Sequence, residues 1–333
     1  MEKLPKIIVV FGATSSGKSN LSDKIYNSSN KDFMIINGDS AQLYQELPIL
    51  TAIPSDYKKY NSNKIISLSS LYRIWSIFDN KDDKSVKSWL NLCIDNIDTS
   101  RINKITPVIV GGTGMYISSL IEGINNMPSH STCLYRKYEN DINEKKISVQ
   151  ELYNKLIYLD KDLAIKLSHN DKQRIIRGLS FYESTGTKLS TWQNHNQISN
   201  KYKENEFLLI YIDPPKEILQ ERIIFRLDKM IAEGVIDEVE NIMNLTQKYK
   251  NDNKEYSLPR IIGLNEIIDY IKGKIDINNM KEKIICKTRQ YAKRQNTWFR
   301  NKILKKFPSI TTIYSDNKID KIYINDILSQ LRQ

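Results

Sequence analysis

The chain of 333 residues has little cysteine: only Cys93, Cys133 and Cys286, far apart and with no CxxC pair. That excludes a zinc module built on paired cysteines and a disulfide framework, and it fits a reducing compartment. No apolar run approaches the ~20 residues that a membrane-spanning helix needs. The first residues lead almost directly into an apolar strand, leaving no room for a secretory leader, so a cytoplasmic protein without a membrane anchor is expected. There is no internal repeat and no low-complexity tract. Acidic residues are outnumbered, 39 Asp and Glu against 50 Lys and Arg, for a net charge of +11 and a pI near 9.2. A basic globular chain most often meets nucleic acid and less often an anionic membrane; a lysine-rich composition with no such partner is the plain alternative. An apolar share of 40% is enough for a sizeable core, and the length points to roughly two domains.

What is present centres on Gly12-Ala13-Thr14-Ser15-Ser16-Gly17-Lys18-Ser19, which fits the phosphate-cradle pattern G-x-x-x-x-G-K-[ST] at every fixed position. The apolar, β-branched run Ile7-Ile8-Val9-Val10-Phe11 before it reads as a buried strand. Leu21, Ile25 and Tyr26 after it fall at helical spacing. Strand, glycine turn and helix start together aim backbone amides and the positive end of a helix dipole at an anion. Lys18 would reach the outer phosphate oxygens, and the Ser19 hydroxyl would ligate Mg2+. The cradle specifies a bound polyphosphate, not which one.

Further strands are expected at Met34-Ile35-Ile36, Pro107-Val108-Ile109-Val110, Phe207-Leu208-Leu209-Ile210-Tyr211-Ile212 and Ile310-Thr311-Thr312-Ile313-Tyr314, the last followed by a helix. A helix is expected across Trp89, Cys93 and Ile97. Asp39 follows the second strand. Ligands of parallel α/β sheets gather at the carboxyl ends of strands, so Asp39 faces the cradle, unless it or Ser40 only caps a helix. The third strand ends in Gly111-Gly112-Thr113-Gly114 and lacks the Asp with which many phosphate-loop NTPases hold Mg2+ for hydrolysis. Thr113 can offer a hydroxyl to a substrate; a plain strand-to-helix turn is the alternative.

From Pro128-Ser129 the texture changes. Residues 130–200 are helical in pattern, with apolar faces at Leu152, Leu156, Leu159, Leu163, Ile165 and Leu167. Within them Gln173 and Arg177 share a helix face with Arg174 beside it, which suits phosphate and base-edge contacts and equally suits a solvated face. Arg222 and Arg226 form an i, i+4 pair that either clamps an anion at the cradle or lies on an exposed face. Residues 281–306 hold ten basic residues and one acid, interleaved with Tyr291, Trp298 and Phe299 and followed by Phe307, as nucleic-acid binding with stacked bases would require. The fold class expected is α/β: a P-loop NTPase-like parallel sheet core (1–127 and 204–333) carrying a helical insertion domain (128–203).

These pieces together resemble one family, the tRNA dimethylallyltransferases, also called tRNA isopentenyltransferases. The resemblance runs from about Ile7 to Arg300. It includes the cradle, Asp39-Ser40-Ala41-Gln42-Leu43-Tyr44, Thr51-Ala52, the segment from Pro107 to Tyr116, and Gln173-Arg174-Ile175-Ile176-Arg177. It continues through Arg226, Met230, Gly234, Glu238 and Ile262-Gly263-Leu264. Its strongest piece is Thr288-Arg289-Gln290-Tyr291-Ala292-Lys293-Arg294-Gln295 with Thr297-Trp298-Phe299-Arg300. The resemblance implies transfer of a dimethylallyl group from its diphosphate to N6 of adenosine-37, beside the anticodon of tRNA. It implies that Asp39 accepts a proton from, or orients, the amine, and that Thr113 positions diphosphate or amine. Residues Gly12, Ala13, Thr14, Ser15, Ser16, Gly17, Lys18 and Ser19 with Mg2+, aided by Arg226 and Arg222, would hold the diphosphate. The tRNA anticodon stem-loop would be met by Asp39, Ser40, Ala41, Gln42, Thr113, Gln173, Arg174, Ile175, Ile176 and Arg177. Arg260, Gly263, Lys293, Arg294, Gln295, Thr297, Trp298 and Arg300 would complete that surface, on a monomer. Ile53, Asn63, Tyr135, Thr187 and Leu264 depart from the family pattern and touch the tRNA contacts more than the transfer core. A small-molecule or nucleoside kinase is the second enzyme reading, since cradle and Asp39 also suit phosphoryl transfer, and an RNA-binding ATP switch is the reading outside enzymes.

Overall fold

The structure, a computed structural model, describes residues 5–27, 33–54, 69–79, 84–124, 132–195, 200–254, 256, 258–307, 309–313, 327 and 329. The Pro128-Ser129 turn, Asn63, Tyr314 and most of the expected terminal helix lie outside them. In chain order the elements are β1 (Ile7–Gly12), α1 (Lys18–Asn27), β2 (Phe33–Asn37), a 3-10 turn (Ser40–Leu43), β3 (Ser69–Ser70), α2 (Val86–Ile102), β4 (Thr106–Gly111) and α3 (Gly114–Glu122). Then come α4 (Thr132–Asn143), α5 (Val149–Leu159), α6 (Lys161–Ala164), α7 (Lys172–Thr185) and α8 (Leu189–His195). The chain continues with β5 (Phe207–Ile212), α9 (Lys216–Ala232), α10 (Val235–Asn251), α11 (Leu264–Ile271), α12 (Ile277–Phe299) and β6 (Thr311–Ile313). The chain forms two compact units, Met1–Ile121 with Tyr202–Gln333, and Glu122–Lys201.

The first unit is built on a six-stranded sheet in the order β3-β2-β4-β1-β5-β6, every pair parallel. The central strands are continuous apolar runs because both faces are covered; each residue of β1, β4 and β5 is buried. Alternation still sorts them. Ile8 and Val10, Val108 and Val110, and Leu208, Ile210 and Ile212 join Leu21 and Ile25 of α1 in one core. On the other face Phe11 meets Tyr211 and Phe299, with ring centroids 5.4 and 5.1 Å away. Phe299 is fully buried there, so the expectation that it stacks on a nucleobase is corrected: the aromatic at the end of α12 anchors that helix to the sheet.

Parallel strands deliver their carboxyl ends, and so the loops after β1, β2, β4 and β5, to one edge. The ends of β2 and β4 touch: a Cβ on Gly111 would collide with the Gly38 carbonyl. Gly111→Ala is therefore expected to destabilise the core by about 3 kcal/mol, as backbone cannot yield as a flexible side chain can. A lowered urea midpoint at unchanged slope checks it.

The second unit is helical throughout its described residues. Leu152, Leu156, Ile175, Ile176, Leu179 and Phe181 are its core. Ser148 and Glu151 form a capping box on α5, and Asp171 caps α7 through the Arg174 amide. Asp160 is buried and accepts from the Ser190 amide (2.9 Å) and hydroxyl (2.5 Å), joining α8 to α6. Ile165 departs from its expected place in an apolar face; it is 70% exposed, beyond the end of the single-turn α6.

Candidate active site

Residues 12–19 wrap from β1 into α1. Gly17 has φ +102 and Ser15 φ +60, both in the left-handed region; for serine that conformation is strained and marks a loop shaped for a ligand. The Ser15 and Ser16 hydroxyls are buried with no hydrogen-bond partner among the described residues, which leaves two polar groups for a ligand, ion or water to complete. Lys18 is buried and folds back on the loop, donating to the carbonyls of Gly12 (3.1 Å) and Ala13 (2.6 Å). Burial lowers its pKa to about 8, with Asp39 opposing and Arg226 reinforcing the shift.

Both α9 arginines reach the cradle, which removes the reading of them as an exposed face. Arg222 donates to the Ser16 carbonyl at 2.9 Å. Arg226 donates to the Thr14 hydroxyl at 2.8 Å and to the Thr51 carbonyl at 3.3 Å. Burial lowers the Arg226 pKa, partly offset by Asp39.

Asp39 both caps and faces the cradle. One carboxylate oxygen accepts from the Ala41 amide at 3.0 Å, holding the 3-10 turn. Among the described residues nothing donates to the other. Asn37, a buried polar residue ending β2, frames this loop: its side-chain Oδ1 accepts from the Asp39 backbone amide (2.9 Å) and its side-chain Nδ2 donates to the Asp39 backbone carbonyl (3.0 Å). Asn37 was missed from sequence; a lone polar residue closing an apolar strand beside Asp39 was the available signal. Thr113 does not line the cavities at this edge. Its hydroxyl accepts from the Ser40 amide (2.9 Å) and donates to the Ser40 hydroxyl (3.1 Å), so it holds the Asp39 turn in place.

Two cavities abut here, of about 490 and 260 Å3. The smaller is lined by the cradle, including Ser19, and by Arg222. The larger is walled by Tyr44, Trp75, Tyr116 and Tyr291 and by aliphatic residues, with Arg260 and Arg294 also lining it. Thr14, Ser15, Asp39 and Arg226 line both. Burial raises the Tyr116 and Tyr291 pKa values, so their phenols stay protonated at neutral pH.

The RNA expectations divide. Gln173, Arg174 and Arg177 are exposed, whereas Ile175 and Ile176 are fully buried; their side chains are core, which corrects the expectation that they meet RNA. Lys293, Arg294 and Thr297 are exposed on α12, with Arg294 over the Tyr291 ring at 5.9 Å. Gln295 is corrected too. It is 6% exposed, accepts from the Thr14 amide (2.8 Å) and donates to the Gly112 carbonyl (2.7 Å), bridging cradle and glycine turn. Arg300 is exposed but paired with Asp213 at 2.7 Å. Trp298 packs on Gly114, leaving no room for a Cβ there. Gly263 and Leu264 are buried at the start of α11, where the Gly263 amide donates to Glu266. Ser40, Ala41 and Arg260 line the larger cavity, while the Gln42 amide is engaged with the Thr51 and Ala52 carbonyls at 3.2 and 3.0 Å.

Among the described residues no cluster of three or more His, Cys, Asp or Glu could hold a metal alone, and no helix is long and apolar enough to cross a membrane. Magnesium needs no such cluster, since it binds through one or two protein oxygens, phosphate oxygens and water. Ser19, on the smaller cavity, offers one such oxygen beside the cradle.

The family model for IPP transferases matches residues 42–302. A protein of Pelagibacter ubique named tRNA dimethylallyltransferase is 32% identical over 335 residues, spanning 100% of this chain and 97% of its own length. The crystal structure of a tRNA isopentenylpyrophosphate transferase from Bacillus halodurans superposes with a TM-score of 0.63 at 26% identity, covering 98% and 97% of the two chains. A eukaryotic dimethylallyltransferase captured acting on tRNA gives a TM-score of 0.71 at 25% identity, covering 98% of this chain and 80% of that one. With its phosphate cradle, parallel sheet and full-length similarity to these proteins, the chain belongs to the IPP transferase family.

Proposed function

We propose that the protein transfers a dimethylallyl group from dimethylallyl diphosphate to N6 of adenosine-37 in tRNA. Prenyl transfer to tRNA follows from the family; the observation that carries the finer reading is the pair of abutting cavities with Asp39 and Arg226 in their common wall. The diphosphate occupies the smaller cavity, and the adenine enters the larger, aromatic one. A loop adenosine leaves its stack for a few kcal/mol or less. The amine nitrogen bonds to C1 of the dimethylallyl group, the C1–oxygen bond breaks, and its electron pair leaves on the diphosphate. Asp39 accepts the amine proton; an exocyclic amine is a weak nucleophile and needs that help. Lys18, Arg222, Arg226 and the cradle amides stabilise the charge gathering on the leaving group. Mg2+, bound with Ser19, would supply further neutralisation of the diphosphate. Thr113 acts through the Ser40 turn as a positioning group for Asp39. The absence of an Asp at the end of β4 suits a cradle that holds a leaving group instead of hydrolysing a nucleotide.

The tRNA anticodon stem-loop is met by exposed cations, among them Lys293, Arg294, Arg174 and Arg177. The reading places a monomer in the cytoplasm. The direct test incubates the protein with Mg2+, radiolabelled dimethylallyl diphosphate and unmodified tRNA, without ATP. Label on adenosine N6 is expected; no label, with ATP hydrolysed or its phosphate transferred when added, overturns the reading in favour of a kinase. Lys293→Ala is expected to weaken tRNA binding and to reduce the slope of log affinity against log salt by about 0.7–0.9, one phosphate contact. An unchanged slope removes Lys293 from the interface.

A further inference from the structure

A short turn at residues 47–53 bonds to three other parts of the chain, through Gln42, Arg226 and Glu238. Its geometry is helical: Thr51 bonds the Leu47 carbonyl through its amide (3.1 Å) and its hydroxyl (2.6 Å), and the Ile53 amide reaches the Pro48 carbonyl (3.0 Å). A first helical turn leaves amides unsatisfied, here those of Ile49 and Leu50. Both are met from a distant part of the chain. Glu238, in the first turn of α10, accepts from the Ile49 amide with one oxygen (2.7 Å) and from the Leu50 amide with the other (2.8 Å). The start of a helix is where a carboxylate is electrostatically favoured.

The turn passes this anchorage on. The Thr51 carbonyl, in a residue only 3% exposed, accepts from Arg226 (3.3 Å) and from Gln42 (3.2 Å). The other arm of the same guanidinium holds the Thr14 hydroxyl in the cradle at 2.8 Å. Arg226 is thus stretched between cradle and turn, and the turn is fixed by Glu238. α9, which bears Arg226, and α10, which bears Glu238, are joined through Glu233 and Gly234, with Gly234 at φ +91, so both ends of the linkage start from one helix corner.

We propose that Glu238 is a positioning residue for the diphosphate clamp, acting through the 47–53 turn to hold Arg226 against the cradle. Only a carboxylate suits the place. It presents two acceptors to two amides, whereas a glutamine would turn its own N–H toward one of them. The inference rests on the reading that the cradle holds a diphosphate.

The test is calorimetric titration of the full chain with inorganic diphosphate and Mg2+, with tRNA affinity and prenyl transfer measured in parallel. Glu238→Gln is expected to weaken diphosphate binding about tenfold while tRNA affinity stays within about twofold. In the Arg226→Gln background the same change is expected to add nothing, since the lost group has no further route to the ligand. Glu238→Asp, one methylene shorter and able to reach one amide, is expected to fall between and serves if the Gln variant does not fold. Unchanged diphosphate affinity, additive losses in the double variant, or equal loss of diphosphate and tRNA affinity would each overturn the proposal. Failure of wild-type protein to bind diphosphate would do so too. A wild type that binds diphosphate through this linkage but transfers no prenyl group leaves the clamp standing and removes the proposed reaction.

Discussion

Asp39→Asn is expected to lower the rate of prenyl transfer about 10²–10⁴-fold, the range of a lost general base. The substitution isolates the charge. Asparagine keeps an oxygen for the Ala41 amide, so the 3-10 turn survives. The framing by Asn37 and the Thr113–Ser40 bonds do not involve the Asp39 carboxylate at all. Affinity for tRNA is therefore expected to stay within about twofold, while single-turnover transfer collapses. Equal losses in rate and in tRNA affinity would mean that Asp39 shapes the RNA site and does no chemistry. Asp39 also favours the charged form of Lys18, so its neutralisation should move the alkaline limb of the pH profile to lower pH.

Lys18→Ala is expected to cost about 10²–10³-fold in transfer rate, because a fixed cation at the leaving group is worth most where water is excluded. The pH dependence is distinctive. Burial holds the Lys18 pKa near 8, below its usual 10.5. Between those two values the unfolded chain binds the extra proton, so for this group the ligand-free fold gains stability as pH rises from about 8 to 10.5. Diphosphate binding has the opposite sense. A bound polyanion favours the ammonium form, so binding takes up a proton above about pH 8 and weakens by up to about tenfold per pH unit there. Calorimetry at pH 9 in two buffers of different ionisation enthalpy measures that uptake directly. No uptake, or an uptake that persists in Lys18→Ala, would assign the proton elsewhere.

The parts of this architecture that repeat locally were legible in the chain. Apolar runs gave β1, β2, β4 and β5 to within a residue or two, and the cradle's own spacing marked the loop on which Lys18, Arg222 and Arg226 converge. Position at a strand end sufficed for Asp39. Residues whose function depends on a distant partner were misjudged. Gln295 reads like a member of a basic RNA-facing helix because its neighbours Lys293 and Arg294 are; only the approach of α12 to β1 and β4, 183 residues away in sequence for one bond and 281 for the other, turns its amide inward. Ile175 and Ile176 sit between Arg174 and Arg177, and helical periodicity sends them to the opposite side. Phe299 follows Trp298 yet belongs to the sheet's core. Glu238 gave no local sign of its task, since its two partners are backbone amides, which sequence does not distinguish.

The two cavities adjoin at a shared wall instead of nesting one inside the other. For an enzyme that ends each cycle with two unlike products, this matters to traffic. In the proposed reaction the spent diphosphate would lie in the cavity lined by the cradle and the lengthened base in the aromatic one, with Asp39 and Arg226 lining both. Departure of a small anion and departure of a large RNA would then draw on different linings, the cradle with Arg222 for the one and the aromatic wall for the other.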